Sequence, residues 1–298
     1  MALKRTPLRL RRQKLRRAIL GSTDGLSAEF DAFRQLAHSK FGIILQADAE
    51  SFLQSRLRGF IAHSGHTSIN ALIHDARTGG RDDLLIEVVE HLSTNHSYFY
   101  REPAHFEFFE STVLPELKQQ LARNGTTDIR IWSAAAAAGE EAYSIVMAMR
   151  DYFGPSYKDL DAGVLATDIA KRALRQGTVG EFRSDSFRHL PEGWRRRFLE
   201  PVGGDRYRVI KAVRDDVMFR WLNLNEPIKV LRGGFHVIFC RNVLIYFDDA
   251  TRARLIADLA GFLAPGGFLF FGHTDNPEQA RQHLDQLQPA VFQKRVSK

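Results

Sequence analysis

One cysteine in 298 residues, Cys240, excludes an internal disulfide framework and fits a reducing compartment. Its place in the apolar run Val237-Ile238-Phe239-Cys240 reads as a small strand residue, not a reactive thiol. Long apolar stretches are lacking too. None approaches the roughly 18 residues that a bilayer-spanning helix needs, and no basic head followed by an apolar stretch and a small-residue cleavage site marks a secretory leader. The eleven histidines are scattered. His63, His66 and His74 repeat no zinc-ligand spacing, and no Ser/His/Asp set is apparent, so neither a metal site nor a nucleophilic triad is expected.

Acid is absent from residues 1–20, which hold Lys4, Arg5, Arg9, Arg11, Arg12, Lys14, Arg16 and Arg17. The formal net charge is +7, from 42 basic and 35 acidic residues. Removing those eight leaves 34 against 35, a balance of −1, so the basic character belongs to the tail. Such a tail suits an acidic protein surface, anionic lipid or nucleic acid, or is a solvated extension without a specific partner.

What is present divides by rhythm. Residues 1–25 form the basic extension, and residues 26–93 carry helical periodicity. Phe30, Phe33, Leu36, Ala37 and Phe41 share one helical face over Ala28–Phe41, and Leu53, Leu57, Phe60 and Ile61 share another over Ala47–His63. Ser68 reads as an N-cap, Gly79-Gly80 as the stop that follows, and Asp82–Leu92 as a further helix. Residues 94–127 read as a linker and a helix that opens at Pro103, re-enters at Pro115 and stops at Asn124-Gly125.

From Asp128 to the C-terminus, strands alternate with helices. Strands are expected at Ile129–Ser133, Val164–Asp168, Val217–Leu222, His236–Cys240, Phe268–Phe271 and Ala290–Lys294, with helices following Gly139, Ala170 and Asp249. That alternation implies parallel βαβ units in a doubly wound, Rossmann-like α/β sheet, with ligands beyond the carboxyl ends of its strands. The helical rhythm breaks at about 195–217, where Tyr207, Val209, Ala212 and Val213 surround Gly203-Gly204. A surface hairpin or a small antiparallel β-subdomain would account for it.

Several strand ends carry polar residues. Asp168 can accept from both hydroxyls of a ribose or cap the next helix. Asn223, followed by Leu224, can read an adenine edge or simply make a turn. Glu140 can meet a cationic ligand or serve as a first-turn acid. Arg241 and Asn242 end the fourth expected strand. Upstream, Asn95, Ser97 and Arg101 lie in Thr94-Asn95-His96-Ser97-Tyr98-Phe99-Tyr100-Arg101, whose aromatic cluster is more often core than ligand contact.

Taken together, Phe239-Cys240-Arg241-Asn242-Val243-Leu244-Ile245-Tyr246-Phe247, Ile131-Trp132-Ser133 with Gly139-Glu140-Glu141-Ala142-Tyr143-Ser144, Ala166-Thr167-Asp168-Ile169, and Gly272-His273-Thr274-Asp275 resemble the CheR-type chemotaxis receptor methyltransferases. The resemblance runs from about Ala28 to the C-terminus. It implies an all-α N-terminal domain before the methyltransferase sheet, the small β-subdomain within it, and transfer of a methyl group from S-adenosylmethionine to chemoreceptor glutamates, leaving S-adenosylhomocysteine. The implied cofactor contacts are Asn95, Ser97, Arg101, Glu140, Asp168, Asn223, Leu224, Arg241 and Asn242. Arg101 and Tyr246 are the implied holders of the substrate carboxylate, and His273 is expected to be structural. The implied partner is the cytoplasmic domain of a bacterial chemoreceptor, and the implied protein is a cytoplasmic monomer that needs neither metal nor nucleic acid.

One departure stands out. Where the family has a hydroxyl before the glycine, this chain runs Ala134–Ala138, and Ala142 replaces a proline. An alanine methyl is costly wherever that loop needs positive φ, and it offers no hydrogen bond. Two other readings stand beside the first. A module that has lost its cofactor would explain the alanines. A nucleic-acid methyltransferase would explain the tail, but Cys240-Arg241-Asn242-Val243 lacks that class's Asp/Asn-Pro-Pro-Tyr-like strand end.

Overall fold

The computed structural model describes residues 23–44, 59–61, 64–78, 84–88 and 97–296. The chain divides into two compact units, Met1–Thr94 and Asn95–Lys298. In the first, helix α1 spans Thr23–Phe41 and buries Phe33, Leu36, Ala37 and Phe41 along one face. Helix α2, Ile69–Thr78, is capped as its sequence predicts: the Ser68 hydroxyl accepts from the Ala71 amide at 3.1 Å. Residues 84–88 are helical and bury Leu84, Leu85, Ile86 and Val88. The basic tail, most of the expected 47–63 helix and the Gly79-Gly80 stop lie outside the described residues.

The second unit opens with α3, Pro103–Phe108, whose first turn tolerates Pro103 because that N–H has no helical acceptor. A single π-turn at Phe109–Val113 leads into α4, Leu114–Asn124. Pro115 explains the interruption, since its ring displaces the carbonyl one turn back and it donates no hydrogen bond. The body follows as β1 (Asp128–Ala134), α5 (Glu140–Phe153), β2 (Asp161–Asp168), α6 (Lys171–Val179), β3 (Glu181–Arg183), α7 (Glu192–Phe198), β4 (Leu199–Gly203), β5 (Arg206–Val209), β6 (Val217–Trp221), β7 (Phe235–Cys240), α8 (Asp249–Phe262), β8 (Leu263–Phe271), β9 (Asp285–Gln288) and β10 (Val291–Gln293).

Seven strands form the main sheet in the order β6-β2-β1-β7-β8-β10-β9. It is parallel from β6 through β8, and β10 runs antiparallel to β8 and β9. The winding reverses between β1 and β7, which opens a crevice beyond their carboxyl ends. The register levels those ends, because Ser133 faces Ala166 on one side and Phe239 on the other.

Alternation along the strands feeds two cores. Ile129, Ile131, Val237, Phe239, Phe268 and Phe270 pack on the α5 face, where Phe239 and Phe270 stack at 4.4 Å. Trp132, Ala134, Ile238, Cys240, Leu269 and Phe271 pack with Leu255, Ile256 and Leu259 of α8. Each fully buried large side chain contributes about 1.5–3 kcal/mol. Cys240 is wholly buried, and burial pushes its thiol pKa well up, as its reading as a small apolar residue requires.

A second sheet, β3-β5-β4, is antiparallel throughout. Its first strand lies upstream of the stretch where the sequence rhythm breaks. A strand of three residues is too short to show alternation. Edge strand β9 is equally silent in sequence, because its polar residues face solvent.

The α5 and α6 helices meet the sheet through the ring of Phe219. A Cβ added to Gly177 would meet that ring at 2.5 Å and the Ala138 carbonyl at 2.8 Å. Alanine gains about 1 kcal/mol of helix propensity over glycine, but overpacking costs about 1–3 kcal/mol. Gly177→Ala is therefore expected to lower the urea midpoint. A raised midpoint would show that Phe219 yields.

Candidate active site

The loop after β1 is built from left-handed alanines. Ala135 and Ala137 have φ of 61° and 50°, and Gly139 has φ 92°. An L-residue pays roughly 1–2 kcal/mol for such a conformation. Backbone bonds hold the loop regardless: Ala136 N–H donates to the Thr167 carbonyl at 2.9 Å, and Gly139 N–H to the Ala136 carbonyl at 2.8 Å. Ala137 N–H donates to Asp168 Oδ2 at 2.8 Å.

Asp168 does not cap the next helix as the alternative reading expected: its Oδ1 accepts from Ala170 N–H at 2.8 Å, an Asx turn two residues on, and Ala170 is itself the N-cap of α6. The carboxylate thus joins two strand ends. Burial raises its pKa, opposed by the amides of Ala170, Ala137 and Ile169. Two in-plane amides leave lone pairs on both oxygens for further donors.

Glu140 begins α5 and is buried, and its Oε2 has no hydrogen-bond partner. The Ser97 hydroxyl donates to its carboxyl. Burial pushes its pKa up to about 7, and the nearby Asp168 charge adds to the rise. An orphaned buried carboxylate oxygen is costly. A cationic donor relieves it, so the residues present fit the ammonium end of an amino-acid-bearing cofactor.

Asn223 is buried, with Nδ2 donating to Glu226 Oε1 and Oδ1 accepting from Asn225 N–H, both at 3.0 Å. It therefore makes the turn after β6. Leu224 beside it is buried, and its carbonyl accepts from Arg254 Nη2 at 3.2 Å.

The densest polar cluster gathers at the end of β7. Arg241 is buried, and its guanidinium pairs with Glu141 Oε2 and Glu102 Oε2, each at 2.9 Å. It also donates to the Arg101 carbonyl at 2.6 Å. Next to it, Asn242 adopts φ 57°. Its N–H donates to Asp275 Oδ2 at 2.6 Å and its Nδ2 to Glu102 Oε1 at 3.0 Å. Gly272 lies so close that an added Cβ would collide with the Asn242 amide.

Glu102 collects His273 N–H as well, at 3.3 Å, and its Oε2 lies 3.1 Å from His105 Nδ1. Burial would raise its pKa, but His105, Arg241 and Asn242 together hold the carboxyl well below the usual range. Burial drives His105 the other way, favouring its neutral ring. His273 has the structural role expected of it, through its backbone.

Arg101 sits between Tyr100 and Glu102, both left-handed at φ 58° and 59°. Its guanidinium lies 5.8 Å from the Tyr98 ring, which also receives Arg188 at 4.8 Å. Phe99 and Tyr100 belong to the core, and Tyr98 is half-buried against His189. Tyr246 is half-buried at the end of a 3₁₀ turn, Leu244–Tyr246. Asn95 lies outside the described residues.

Sequence reasoning passed over Glu102, Glu141 and Asp275. The one local signal was the charged pair Arg101-Glu102 before Pro103, since a residue before proline is pushed out of the helical region. Its partners lie some 140 residues away.

A doubly wound sheet with acid at the β2 end and an unsatisfied carboxylate at the α5 start is compatible with a nucleoside-bearing cofactor, and a family match places the chain in the class of S-adenosylmethionine-dependent methyltransferases. Two family models agree with it: "CheR methyltransferase, SAM binding domain" matches residues 95–292, and "CheR methyltransferase, all-alpha domain" matches 28–93. The chain belongs to the CheR methyltransferase family. It is 30% identical to the chemotaxis protein methyltransferase of Borreliella burgdorferi over 89% of this chain and 94% of that one. It is 33% identical to chemotaxis protein methyltransferase 1 of Pseudomonas aeruginosa over 88% and 95%. The probable chemotaxis protein methyltransferase of Rhizobium etli is also 33% identical, over 84% and 92%. No described helix is long and apolar enough to cross a membrane.

The raised pKa of Glu140 makes a pH prediction. The folded chain holds that proton up to about pH 7, whereas the unfolded chain releases it near an ordinary glutamate value. Folded protein therefore binds more protons between these limits, and stability falls as pH rises through them. The expected loss is on the order of 2 kcal/mol. Glu140→Gln should flatten the profile of the cofactor-free protein in denaturant titrations at pH 5 and 8. An unchanged slope would place the carboxyl in water.

Proposed function

We propose that this chain transfers the methyl group of S-adenosylmethionine to glutamate side chains in the cytoplasmic domain of bacterial chemoreceptors. The chain is a methyltransferase of a family whose relatives named above are chemotaxis protein methyltransferases, and the receptor glutamate is the finer step. The observation that carries it is Arg101. A cation rides on a turn fixed by two left-handed residues, and that turn is bonded to the end of β7 at the sheet's switch point. Such a cation suits an anionic acceptor.

When bound, S-adenosylmethionine supplies an electrophilic methyl on a cationic sulfonium. Asp168 would accept from the ribose diol, Glu140 with Ser97 would meet the ammonium, Asn242 and the 135–139 amides would flank the amino-acid end, and Asn223-Leu224 would border the adenine. Asn95, outside the described residues, is proposed as a further contact. Arg241 serves the site by shaping the Arg101 turn. The substrate carboxyl, with a pKa of about 4.3, is ionised at neutral pH and needs no base. The chain's task is then to align that carboxylate and to exclude water. Arg101 holds the carboxylate in line, and Tyr246 donates a second hydrogen bond. Arg56 and Arg58 of the helical unit, which lie outside the described residues, are proposed to steer an acidic receptor helix.

Substitutions at two positions test this reading. Asp168→Ala should weaken cofactor binding by roughly 1.5–3 kcal/mol, the scale of bonds to a charged group, and calorimetry with unchanged affinity would remove Asp168 from the site. Arg101→Ala should cut labelled-methyl transfer to receptor membranes by on the order of 10²-fold, with melting nearly unchanged. Arg101→Lys should restore part of it, lacking the guanidinium fork. Near-normal turnover in folded Arg101→Ala protein would shift the assignment to Tyr246.

A further inference from the structure

The carboxylate of Glu102 is held by groups from Arg241, Asn242, His273 and His105. Oε1 accepts from Asn242 Nδ2 at 3.0 Å, and Oε2 pairs with Arg241 Nη2 at 2.9 Å. His273 N–H reaches both oxygens at 3.3 Å. Three chain segments meet there: the end of β7, the turn after β8 and the turn that carries Arg101. The same Nη2 that pairs with Glu102 also donates to the Arg101 carbonyl, so one nitrogen ties the Arg101 backbone to the Glu102 side chain.

His105 and His273 complete a cluster in which three ligand-type atoms, with Glu102, lie within 4.8 Å of one another. A divalent cation there would sit against the Arg241 guanidinium, which holds the same Oε2. That repulsion disfavours a metal and leaves the carboxylate as an anion organised by donors.

The backbone gives the reason so many partners are needed. Glu102 has φ 59° and ψ 71°, and Tyr100 two residues earlier has φ 58°. Neither is glycine, so both pay for a sparsely populated conformation. Tyr100 is held by its amide bond to Ser144 Oγ at 2.9 Å and by its buried ring. Only the Glu102 carboxylate holds the other end through its side chain. Relaxation there would rotate the backbone that aims Arg101.

We propose that Glu102 is a positioning residue for methyl transfer, fixing Arg101 by binding Arg241, Asn242 and the His273 amide at once. The inference rests on the reading of Arg101 as the holder of the substrate carboxylate. A charge is essential to it. A glutamine of the same length would accept from fewer donors and point its own N–H groups at Arg241.

The test is a double-mutant cycle in the full chain, with turnover, receptor KM, cofactor affinity and melting measured together. Glu102→Gln should reduce kcat at least tenfold, with cofactor affinity changed less than threefold. Glu102→Asp, which keeps the charge and tolerates left-handed backbone better, should recover part of kcat. Combined with Arg101→Ala, Glu102→Gln should cost nothing further. Near-normal kcat in folded Glu102→Gln protein, with Arg101→Ala still impaired, overturns the proposal alone. So do losses that multiply in the double variant. Should Glu102→Gln not fold, a Glu102→Asp protein with unchanged kcat overturns it. Normal turnover in Arg101→Ala overturns the Arg101 reading itself.

Discussion

A buried guanidinium organises this site. Arg241 lies at the mouth of a parallel sheet, nearly free of solvent, between the carboxylates of Glu102 and Glu141. Burying one charge without partners would cost several kcal/mol. The ion triad therefore persists only as a whole, and holding it whole means holding β7, the start of α5 and the 97–102 segment at one set of distances. Ser133 extends the linkage, since its hydroxyl donates to Glu141 Oε1 at 2.7 Å. The switch-point crevice is thereby bordered by groups whose positions are mutually fixed.

Strain collects around that frame. Ala135, Ala137, Tyr100, Glu102 and Asn242 all take left-handed φ without being glycine, and all border the crevice. Their summed cost would be several kcal/mol on the usual scale. Three of them are held by backbone N–H hydrogen bonds: Ala137 to Asp168, Tyr100 to Ser144, Asn242 to Asp275. The alanine-rich loop shows how. Its missing hydroxyls remove side-chain donors, but its backbone keeps a carboxylate at the β2 end and an amide-lined turn. Loss of side-chain chemistry did not entail loss of loop geometry.

The charge pattern matches methyl transfer between opposite charges. Glu140 and Asp168 lie on the side of β1 and β2, and burial raises both their pKa values. Burial disfavours the charged form of both, so a cationic ligand gains from meeting them. Glu102 is pulled the opposite way by its donors, so two kinds of carboxylate coexist nearby. Glu140 keeps an orphaned oxygen and suits a ligand; Glu102 is saturated and suits a scaffold.

Burial and periodicity made much of this readable in advance. The strand-helix alternation from Asp128, the Ser68 cap, the apolar run ending at Cys240, and the turn-or-ligand choices at Asp168 and Asn223 are all local, set by side-chain spacing and backbone preference. Strand β9 and the three residues of β3 were not readable, because a polar or very short strand carries no periodic signal. Nor was the hub: Glu102 meets Arg241 and Asn242 across some 140 residues, and no local pattern encodes a pairing that depends on which strand lies beside which. The sequence by itself determined the elements, their parallel winding and the chemistry available at each strand end. Only the tertiary structure decided which of those polar groups remain unsatisfied and which hold one another, because desolvation and partner geometry exist only once the chain has packed.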